Sequence, residues 1–391
     1  MARNLGHRSV IGFLCLFALI GYGCSSLACK ADGNLLSTAK NNQPAKQAAP
    51  MLVSAATPLR AQLFKITENG KVGYIDPTGR VVIAPQFAAA NDFSEGLAAV
   101  ANSIRPSEVT SEQELKWGFI NETGQMVITQ QFTRVGRFSE GMAWVEIGDK
   151  HGPSNYGVDK HGYVDKGGNI VLAPHFSFVF DPHGVDDGRA DFKEGLVVIK
   201  VEKKWGFIDK TGRIAIAAQF DEANPFCEGL AAVRVGEKYG YIDKTGKIIL
   251  KPQFDFAGRF SDGLALIRVG SEYGYIDRSG EFIIKPQYLR ASPFSEGLPV
   301  VGTGPGSTYI NREGIMVMEV NGNCGPFSDG MAVIRIQDKL GYIDKSGKTV
   351  IKPAFVWVEG FRGGLAKVHS GNMSEYAYID RAGNYIWRSS K

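Results

Sequence analysis

Seven carboxylates recur in one short block of this sequence, and their repetition limits the chemistry they could perform. The block reads, with some variation, Phe-Ser-Glu/Asp-Gly-Leu/Met-Ala, and its acids are Glu95, Glu140, Glu194, Glu228, Asp262, Glu296 and Asp329. A hydrolytic site needs one pair of carboxylates with separated pKa values, whereas a repeated fold needs one structural acid in each unit. We therefore predict that these acids accept hydrogen bonds from backbone N–H groups at turns, and that none is catalytic.

Histidines form a second candidate group, because four of the six fall within one stretch of the chain. They are His151, His161, His175 and His183, and near them stand Asn155, Tyr156, Asp159, Asp181, Asp186, Asp187 and Asp191. Imidazole and carboxylate are zinc ligands, but no pair here has the close spacing of a metal site. We expect solvated polar loops with no metal or cofactor. A metal-dependent enzyme at this insertion remains a weaker alternative.

Four large aromatic residues occupy equal places in successive units and could bind a sugar chain. They are Trp117, Trp205, Tyr239 and Tyr273. A ladder of such rings can stack on a cell-wall glycan, whereas packing between units is the alternative role for the same residues. A formal net charge of +4 over 391 residues gives no basis for nucleic-acid binding. The sequence also has no phosphate-binding loop and no nucleophile elbow.

All these side chains are carried by a repeat whose clearest sign is the tetrapeptide Gly-Tyr/Phe-Ile-Asp. It or a close variant begins at Gly73, Gly118, Gly162, Gly206, Gly240, Gly274, Thr308, Gly341 and Ala377. Successive starts are 45, 44, 44, 34, 34, 34, 33 and 36 residues apart, and a period near 34 indicates one small structural unit repeated along the chain. The Asp is predicted to accept a hydrogen bond from a backbone N–H two residues on, while the following Gly adopts a positive φ. Asn121 and Asn311 can do the same without a charge, which argues against calcium sites.

Each unit is predicted to be a three-stranded antiparallel meander. In the segment from Leu230 to Phe254, three runs rich in Val, Ile, Leu and Tyr are separated by Gly-Glu-Lys and Asp-Lys-Thr-Gly, which are typical of hairpins. All nine units have their three strands locally, and propellers usually have four to eight blades. We therefore expect an all-β protein whose units stack as an open solenoid or superhelix, with a propeller-like ring as the alternative.

Three insertions interrupt the period in the first part of the array, over Asn102 to Leu115, Gly148 to Asp159 and Asp181 to Arg189. The first two leave from one edge of the predicted sheet, and the third begins near that edge. Insertions on one edge of stacked units often form a binding face. A protein partner that contacts these insertions is therefore the preferred ligand.

The first 60 residues are typical of an exported protein. Residues 1–23 combine a basic start, an apolar run from Val10 to Ile20 and small residues, which predicts a signal peptide. Cys24 could be lipidated after cleavage, with Cys29 as a weaker site and simple secretion as the alternative. Residues 24–60 resemble a flexible tether, and residues 61–391 form the repeat array. Cys227 and Cys324 are not expected to form a disulfide.

The segments Lys116-Trp117-Gly118-Phe119-Ile120 and Lys204-Trp205-Gly206-Phe207-Ile208 resemble the WG repeats, also called KWG repeats, of bacterial proteins. The resemblance extends over roughly residues 62 to 387, and it implies an all-β repeat protein, often exported, without a shared enzymatic activity. The sequence departs from the family pattern at His161, Thr308 and Ala377.

The sequence as a whole predicts a noncatalytic binding or scaffolding protein of the bacterial cell envelope. It would be lipid-anchored, periplasmic or secreted, and it would touch a membrane only through a lipid anchor. A glycan-binding module is the alternative. The candidate binding residues are Trp117, Tyr156, His161, His183, Trp205 and Tyr239.

Overall fold

The computed structural model describes residues 62–103, 115–147, 160–172, 188–302, 306–371 and 374–389, and every regular element within these ranges is a β-strand. The strands form nine antiparallel sheets, here called blades 1 to 9, in which neighbours in the sheet are also neighbours in the chain. The predicted all-β class is therefore confirmed. No helix in the described ranges is long and apolar enough to cross a membrane.

The strands of the blades follow in chain order. Blades 1 to 3 contain β1 (Phe64–Glu68), β2 (Lys71–Ile75), β3 (Val81–Phe87); β4 (Ala89–Ala90), β5 (Leu97–Ser103), β6 (Leu115–Asn121), β7 (Met126–Phe132); β8 (Arg134–Val135), β9 (Met142–Ile147), β10 (Lys160–Asp165) and β11 (Ile170–Leu172). Blades 4 to 6 contain β12 (Leu196–Val201), β13 (Lys204–Asp209), β14 (Ile214–Phe220); β15 (Glu222–Ala223), β16 (Leu230–Val235), β17 (Lys238–Asp243), β18 (Ile248–Phe254); β19 (Phe256–Ser261), β20 (Leu264–Val269), β21 (Glu272–Ile276) and β22 (Phe282–Tyr288). Blades 7 to 9 contain β23 (Arg290–Ala291), β24 (Val300–Gly302), β25 (Ser307–Ile310), β26 (Met316–Val320); β27 (Asn323–Ser328), β28 (Met331–Ile336), β29 (Lys339–Asp344), β30 (Thr349–Phe355); β31 (Trp357–Val358), β32 (Leu365–His369), β33 (Ala377–Asp380) and β34 (Tyr385–Arg388).

A complete blade has four strand positions, A to D, from the ring axis outward. Position A is the strand that precedes the acid-bearing block, B is the Leu/Ala-rich strand, C holds the Gly-Tyr-Ile-Asp tetrapeptide, and D forms the outer rim. The three predicted strands of each unit are B, C and D, and strand A was not predicted. In the described residues of blades 1 and 4, the sheet has only positions B, C and D.

The turn between strands C and D is built as the sequence predicted. In blade 5, Asp243 Oδ1 accepts hydrogen bonds from the N–H groups of Thr245 (2.9 Å) and Lys247 (3.1 Å), and Gly246 has a φ of 83°. Asn121 makes the same two contacts with its amide oxygen, to Thr123 and Gln125. The acceptor oxygen is therefore what the turn needs, and the charge is not.

An aromatic pair joins each blade to the next. The Tyr or Phe of strand C packs against the Phe of the following block, with ring centroids 4.7–5.4 Å apart, in the pairs Tyr74–Phe93, Phe119–Phe138, Tyr163–Phe192, Phe207–Phe226, Tyr241–Phe260, Tyr275–Phe294, Tyr309–Phe327, Tyr342–Phe361 and Tyr378–Phe64. Where the residue is Tyr, its hydroxyl also donates to a backbone carbonyl of the next blade, as Tyr241 does to Gly258 at 2.8 Å.

The last of these pairs closes the ring, because Tyr378 belongs to blade 9 and Phe64 to blade 1. The hydroxyl of Tyr378 donates to the carbonyl of Lys65 (2.8 Å), and the N–H of Thr67 donates to the hydroxyl of Tyr376 (2.7 Å). The protein is therefore a nine-bladed β-propeller. Our preference for an open solenoid was wrong, and the alternative of a propeller-like ring is confirmed. Local completeness of every unit does not prevent closure, since blade 9 contacts blade 1 through the same aromatic pair that joins the other blades.

The glycine before the aromatic residue of strand C is required by a bulge in strand D. In blade 5, Tyr239 pairs with Phe254 and Tyr241 pairs with Leu250, so three residues of strand D face Gly240 alone. A Cβ on Gly240 would lie 2.4 Å from the carbonyl oxygen of Leu250. The equivalent glycines are equally crowded by strand D at Gly73, Gly118, Gly206, Gly274 and Gly341.

The two units that lack this glycine also lack the bulge. Thr308 pairs one to one with Glu319 and Ala377 with Arg388, and the register shifts only further along, after Tyr309 and Tyr378. In blade 7 the replacement of Gly by Thr308 thus accompanies a strand D of five residues, β26, where blade 5 has seven in β18.

Replacing Gly240 by Ala is expected to lower the free energy of unfolding by about 1–3 kcal/mol, because the added methyl group overlaps backbone atoms that cannot rotate away. Chemical denaturation followed by tryptophan fluorescence measures the loss. Gly371→Ala is the matched control, since a Cβ there meets nothing within 4 Å and φ is not positive. Equal stability of the two variants would contradict the bulge as the reason for the glycine.

Truncation of Phe64 is expected to weaken the closing seam. Phe64 is buried, and Phe64→Ala removes the ring that packs on Tyr378, at a cost of about 3–5 kcal/mol. Hydrogen exchange should then accelerate in β1 and β33 before it does so in blades 4 to 6. Phe282→Ala, on the exposed rim at 41% accessibility, should leave the seam unchanged. Uniform acceleration in all blades would argue against a local seam.

Candidate functional site

The ring has two faces that differ in what they carry. The turns between strands A and B and between C and D lie on one face, which we call the acid face because it holds the recurring carboxylates. The B–C hairpins and the D–A connections lie on the opposite face, which we call the hairpin face. This division follows from the antiparallel order of the strands in each sheet.

The first two predicted insertions start and end at strand ends on the hairpin face, and the third starts at the end of β11 on the same face. The first lies between β5 and β6, the second between β9 and β10, and the third between β11 and the inner segment of blade 4 at Gly188. Most residues of these insertions, including Tyr156 and His183, lie outside the described residues, as does Cys24.

The recurring acids bind the backbone of the next blade, which confirms their predicted structural role. Glu140 accepts hydrogen bonds from the N–H groups of Glu194 and Gly195, the latter at 2.8 Å, and Glu228 accepts from Gly263 at 3.2 Å. The same contact is made by Glu95, Glu194, Asp262, Glu296 and Asp329. The block serines are structural as well, because Ser94 donates to the carbonyl of Phe138 at 2.7 Å.

At five of the C–D turns, a basic residue that follows the Asp pairs with the acid of the preceding blade. The pairs Lys166–Glu95, Lys210–Glu140, Lys244–Glu194, Lys345–Glu296 and Arg381–Asp329 have N–O distances of 3.0–3.7 Å. At the seam both partners are absent together, since Gly363 replaces the acid and Pro77 replaces the base. The acid face is therefore a belt of contacts between blades, and its carboxylates are engaged in holding the ring.

These contacts change the proton affinity of the acids. Burial raises the pKa of Glu140, but the N–H of Gly195 and the ammonium of Lys210 outweigh it, so the pKa lies below the ordinary value of 4.5. The backbone N–H groups and Lys166 act on the pKa of Glu95 in the same way. In blade 1, the hydroxyl of Thr78 is the main reason that the pKa of Asp76 falls to about 2.

The stability of the ring is therefore expected to fall in acid. A carboxylate with a depressed pKa in the folded state stabilises fully above its unfolded value, here 4.5, and this contribution is lost as the pH falls through the folded-state pKa. Glu140→Gln should lower the free energy of unfolding by about 1 kcal/mol at neutral pH. The difference in free energy of unfolding between this variant and the unaltered protein should become smaller below pH 4.5. Denaturant titrations at several pH values measure this difference.

The matched control is Glu237→Gln, at an exposed hairpin tip where no ion pair to a described residue is found. It should leave the pH profile unchanged. If Glu140→Gln is less stable than the unaltered protein by the same free energy at every acidic pH, the role assigned to the charge of Glu140 is contradicted.

His161 belongs to a buried polar cluster at the hairpin end of blade 3. Its Nδ1 lies 3.8 Å from a carboxylate oxygen of Glu146, and the guanidinium of Arg134 lies 3.7 Å from the same oxygen. Thr133 donates to the other carboxylate oxygen at 3.1 Å. Glu146 is 4% exposed and His161 9% exposed. No group of three potential metal ligands occurs in the described ranges, and the other three histidines of the insertions lie outside them.

His161 stands at the strand position that Trp117, Trp205 and Tyr239 occupy in other blades, so the three aromatics also lie near the hairpin face. Trp117 is partly buried against the core between blades 2 and 3, and Trp205 is only 7% exposed. The guanidinium of Arg189 lies 5.1 Å from the centre of the Trp205 ring, and the ammonium of Lys200 lies 5.2 Å from it. Cation–π contacts thus cover this indole.

Further contacts connect these residues across three blades. Tyr239 donates to the Glu222 carboxylate at 2.5 Å, and Tyr239 and Tyr273 each have a ring centroid 6.3 Å from that of Phe256. We define the cationic–aromatic band as Arg189, Lys200, Trp205, Glu222, Arg234, Tyr239, Phe256, Arg268 and Tyr273. Sequence reasoning found its Trp and Tyr residues. It missed Glu222, Phe256 and Arg268, which could be found only by placing strands A, B and C in register.

The fold and these surfaces define a class, that of β-propeller repeat proteins whose regular positions hold the blades together. The chain belongs to the WG-repeat family. The family model described as "WG containing repeat" matches residues 73–102, 117–150, 162–205, 205–239, 239–272, 273–301 and 341–372. No curated protein matches the sequence.

Several solved structures are similar to the chain at low identity. BamB from Moraxella catarrhalis is 11% identical, with a TM-score of 0.36 over 85% of this chain and 93% of that one. Hsv2p from Kluyveromyces lactis is 10% identical, with a TM-score of 0.33 over 48% and 72%. Virginiamycin B lyase from Staphylococcus aureus is 13% identical, with a TM-score of 0.32 over 65% and 93%. The match spans 62% of a Hsv2 structure in which loop 6CD is replaced by a Gly-Ser linker. These scores are too low to support an argument about function.

Proposed function

We propose that this protein is a noncatalytic scaffold of the bacterial cell envelope that binds a protein partner through its hairpin face. The observation that carries the proposal is the location of the three insertions, all of which leave the ring on that face. Insertions confined to one face of a repeat array commonly form its binding surface. Export, and lipidation at Cys24, follow from the leader alone and belong to the proposal.

The regular side chains favour a binding role over a catalytic one. The block acids are bound to backbone N–H groups, the Asp residues of the turns accept local hydrogen bonds, and the tyrosine hydroxyls donate to neighbouring blades. Groups engaged in this way are not free to transfer protons or attack a substrate. The cluster of Arg134, Glu146 and His161 lies beside the second insertion and is the place where an enzymatic alternative would be sought.

A glycan-binding module remains the second candidate. Its support is the set of aromatic residues near the hairpin face, above all Phe256, which is 37% exposed between Tyr239 and Tyr273. Against it stands the coverage of Trp205 by Arg189 and Lys200, because a sugar ring stacks on an open aromatic face.

Shortening the insertions tests the proposal. Each would be replaced by a tight connection copied from blade 5, and the variant would be used to capture partners from envelope extract beside the unaltered protein. We expect one protein to be captured by the unaltered ring and lost from the shortened one. The matched control changes Arg213, Lys247 and Lys348 to Ala on the acid face, where all three are exposed, and should keep the partner.

Other outcomes would overturn the proposal. Capture that survives loop shortening would remove the insertions from the binding face. Binding of purified cell-wall polysaccharide, with no protein captured, would favour the glycan-binding alternative. Hydrolysis of an envelope polymer by the purified ring, abolished in His161→Ala, would show an enzyme.

A further inference from the structure

We propose that the cationic–aromatic band binds an acidic segment of the partner protein, with Lys200 and Arg268 holding the carboxylates of that segment. The inference rests on the proposed function, since it names the chemistry of the partner. It also places part of the binding energy on blades 4 to 6, to which the third insertion contributes Arg189.

The band is a continuous surface. Lys200 and Arg189 contact Trp205, and the guanidinium of Arg189 lies 2.7 Å from a carboxylate oxygen of Glu222. Glu222 is bonded to Tyr239, whose ring neighbours Phe256. From Phe256 the contacts continue to Tyr273 and then to Arg268, whose guanidinium lies 5.9 Å from the Tyr273 ring. Strands A, B and C of neighbouring blades all contribute, near their hairpin ends.

The charge of the band is unbalanced. Its four cations are Arg189, Lys200, Arg234 and Arg268, and its one carboxylate is Glu222. The acids that border it, Asp221 and Asp255, form ion pairs with Lys204 and Lys238. The Glu222 carboxylate is already engaged by Arg189, by Arg234 at 3.4 Å and by the hydroxyl of Tyr239 at 2.5 Å. Burial raises the pKa of Glu222, but its hydrogen bonds with Tyr239 and Arg189 outweigh burial and hold that pKa below the ordinary range.

Lys200 and Arg268 are the cations of the band that have no carboxylate oxygen of a described residue within 4 Å, and the charge of Arg268 acts only at longer range on Asp255. Neither forms an ion pair with another described residue, and the Nε atom of Arg268 is buried with no hydrogen-bond partner among them. A buried polar group without a partner is costly. A guanidinium beside an aromatic ring matches a carboxylate in both charge and geometry. Since Arg268 as a whole is partly exposed, an acidic side chain bound to its guanidinium would supply a close anionic partner that the described residues do not.

The arrangement fits an acidic peptide segment better than an acidic glycan. Stacking of a sugar requires open ring faces, whereas cations stand over the rings of Trp205 and Tyr273. A peptide carboxylate needs the cations themselves, and the partly exposed Phe256 offers an apolar contact beside them. The hairpin tips beyond the band carry Glu237 and Glu272, both exposed. These acids would repel a segment that crosses the tips and favour one that enters from the ring axis.

Binding of a fluorescein-labelled Glu-rich peptide to the purified full chain tests the inference by anisotropy at low and high salt. We expect binding that weakens with salt and that falls about tenfold or more in the double variant Lys200→Gln/Arg268→Gln. The matched control is Lys251→Gln/Lys285→Gln, which removes two charges from exposed positions on the outer rim and should bind as the unaltered protein does. Lys200→Arg, which keeps that charge and leaves the guanidinium of Arg268 in place, should retain most of the affinity, and an unchanged denaturation curve of the Gln variant separates loss of binding from a folding defect.

Several results would overturn the inference. If peptide binding weakens equally in the band variant and in the rim control, the effect depends only on the net charge of the protein. Binding of polygalacturonate through the band, with no binding of the peptide, would assign the band to a glycan. Peptide binding unaffected by the band variant, with capture of the partner still dependent on the insertions, would refute the inference and leave the proposed function intact. The opposite result is also informative. If the peptide binds through the band, and the partner is still captured after the insertions are shortened, the proposed role of the insertions is refuted and the band remains an acidic-peptide site.

Discussion

The interaction on which the ring depends is the aromatic pair between the strand C residue of one blade and the block phenylalanine of the next. Both rings are buried in most of these pairs, and edge-to-face packing of this kind contributes about 0.5–1.5 kcal/mol beyond the area it buries. One contact geometry used at every junction fixes one rotation between successive blades. Nine such rotations bring blade 9 back to blade 1, where Phe64 supplies the ring that a block phenylalanine supplies elsewhere.

The polar residues of the repeat support the same junctions from the acid face. An acid in the left-handed region, such as Glu140 with φ 53°, reaches the N–H groups of the next turn and a lysine beyond it. The seam shows how closely the two partners are linked, since Gly363 and Pro77 replace them together. Because the regular positions are occupied in this way, specificity for a ligand must come from positions where the repeats differ.

Much of the fold could be predicted from the sequence because it depends on local chemistry. The turn acids, the hairpins and the strands B, C and D are determined by a few adjacent residues. Asp243 and Glu140 accept backbone hydrogen bonds, as the sequence around them predicts. Closure could not be predicted, because the rotation per blade depends on how side chains fit across a junction. The residue that completes the seam, Phe64, stands where blade 5 has Ala231 and gives no local signal. The bulge opposite Gly240 could not be predicted either, because it depends on the register between strands C and D.

The hairpin face differs from the regular repeat in two ways, in loop length and in side-chain type, and one residue belongs to both. The departures in length are the insertions of blades 2 to 4, and the departures in side chain form the cationic–aromatic band of blades 4 to 6. Arg189, at the end of the third insertion, contacts Trp205 and pairs with Glu222. The insertion is thus joined to the band through a charged contact, so an occupant of one surface lies beside the other. Since the whole chain has a net charge of only +4, the excess of cations in the band is a local property. Attraction of an acidic segment would therefore be directed to this part of the face and not to the ring in general.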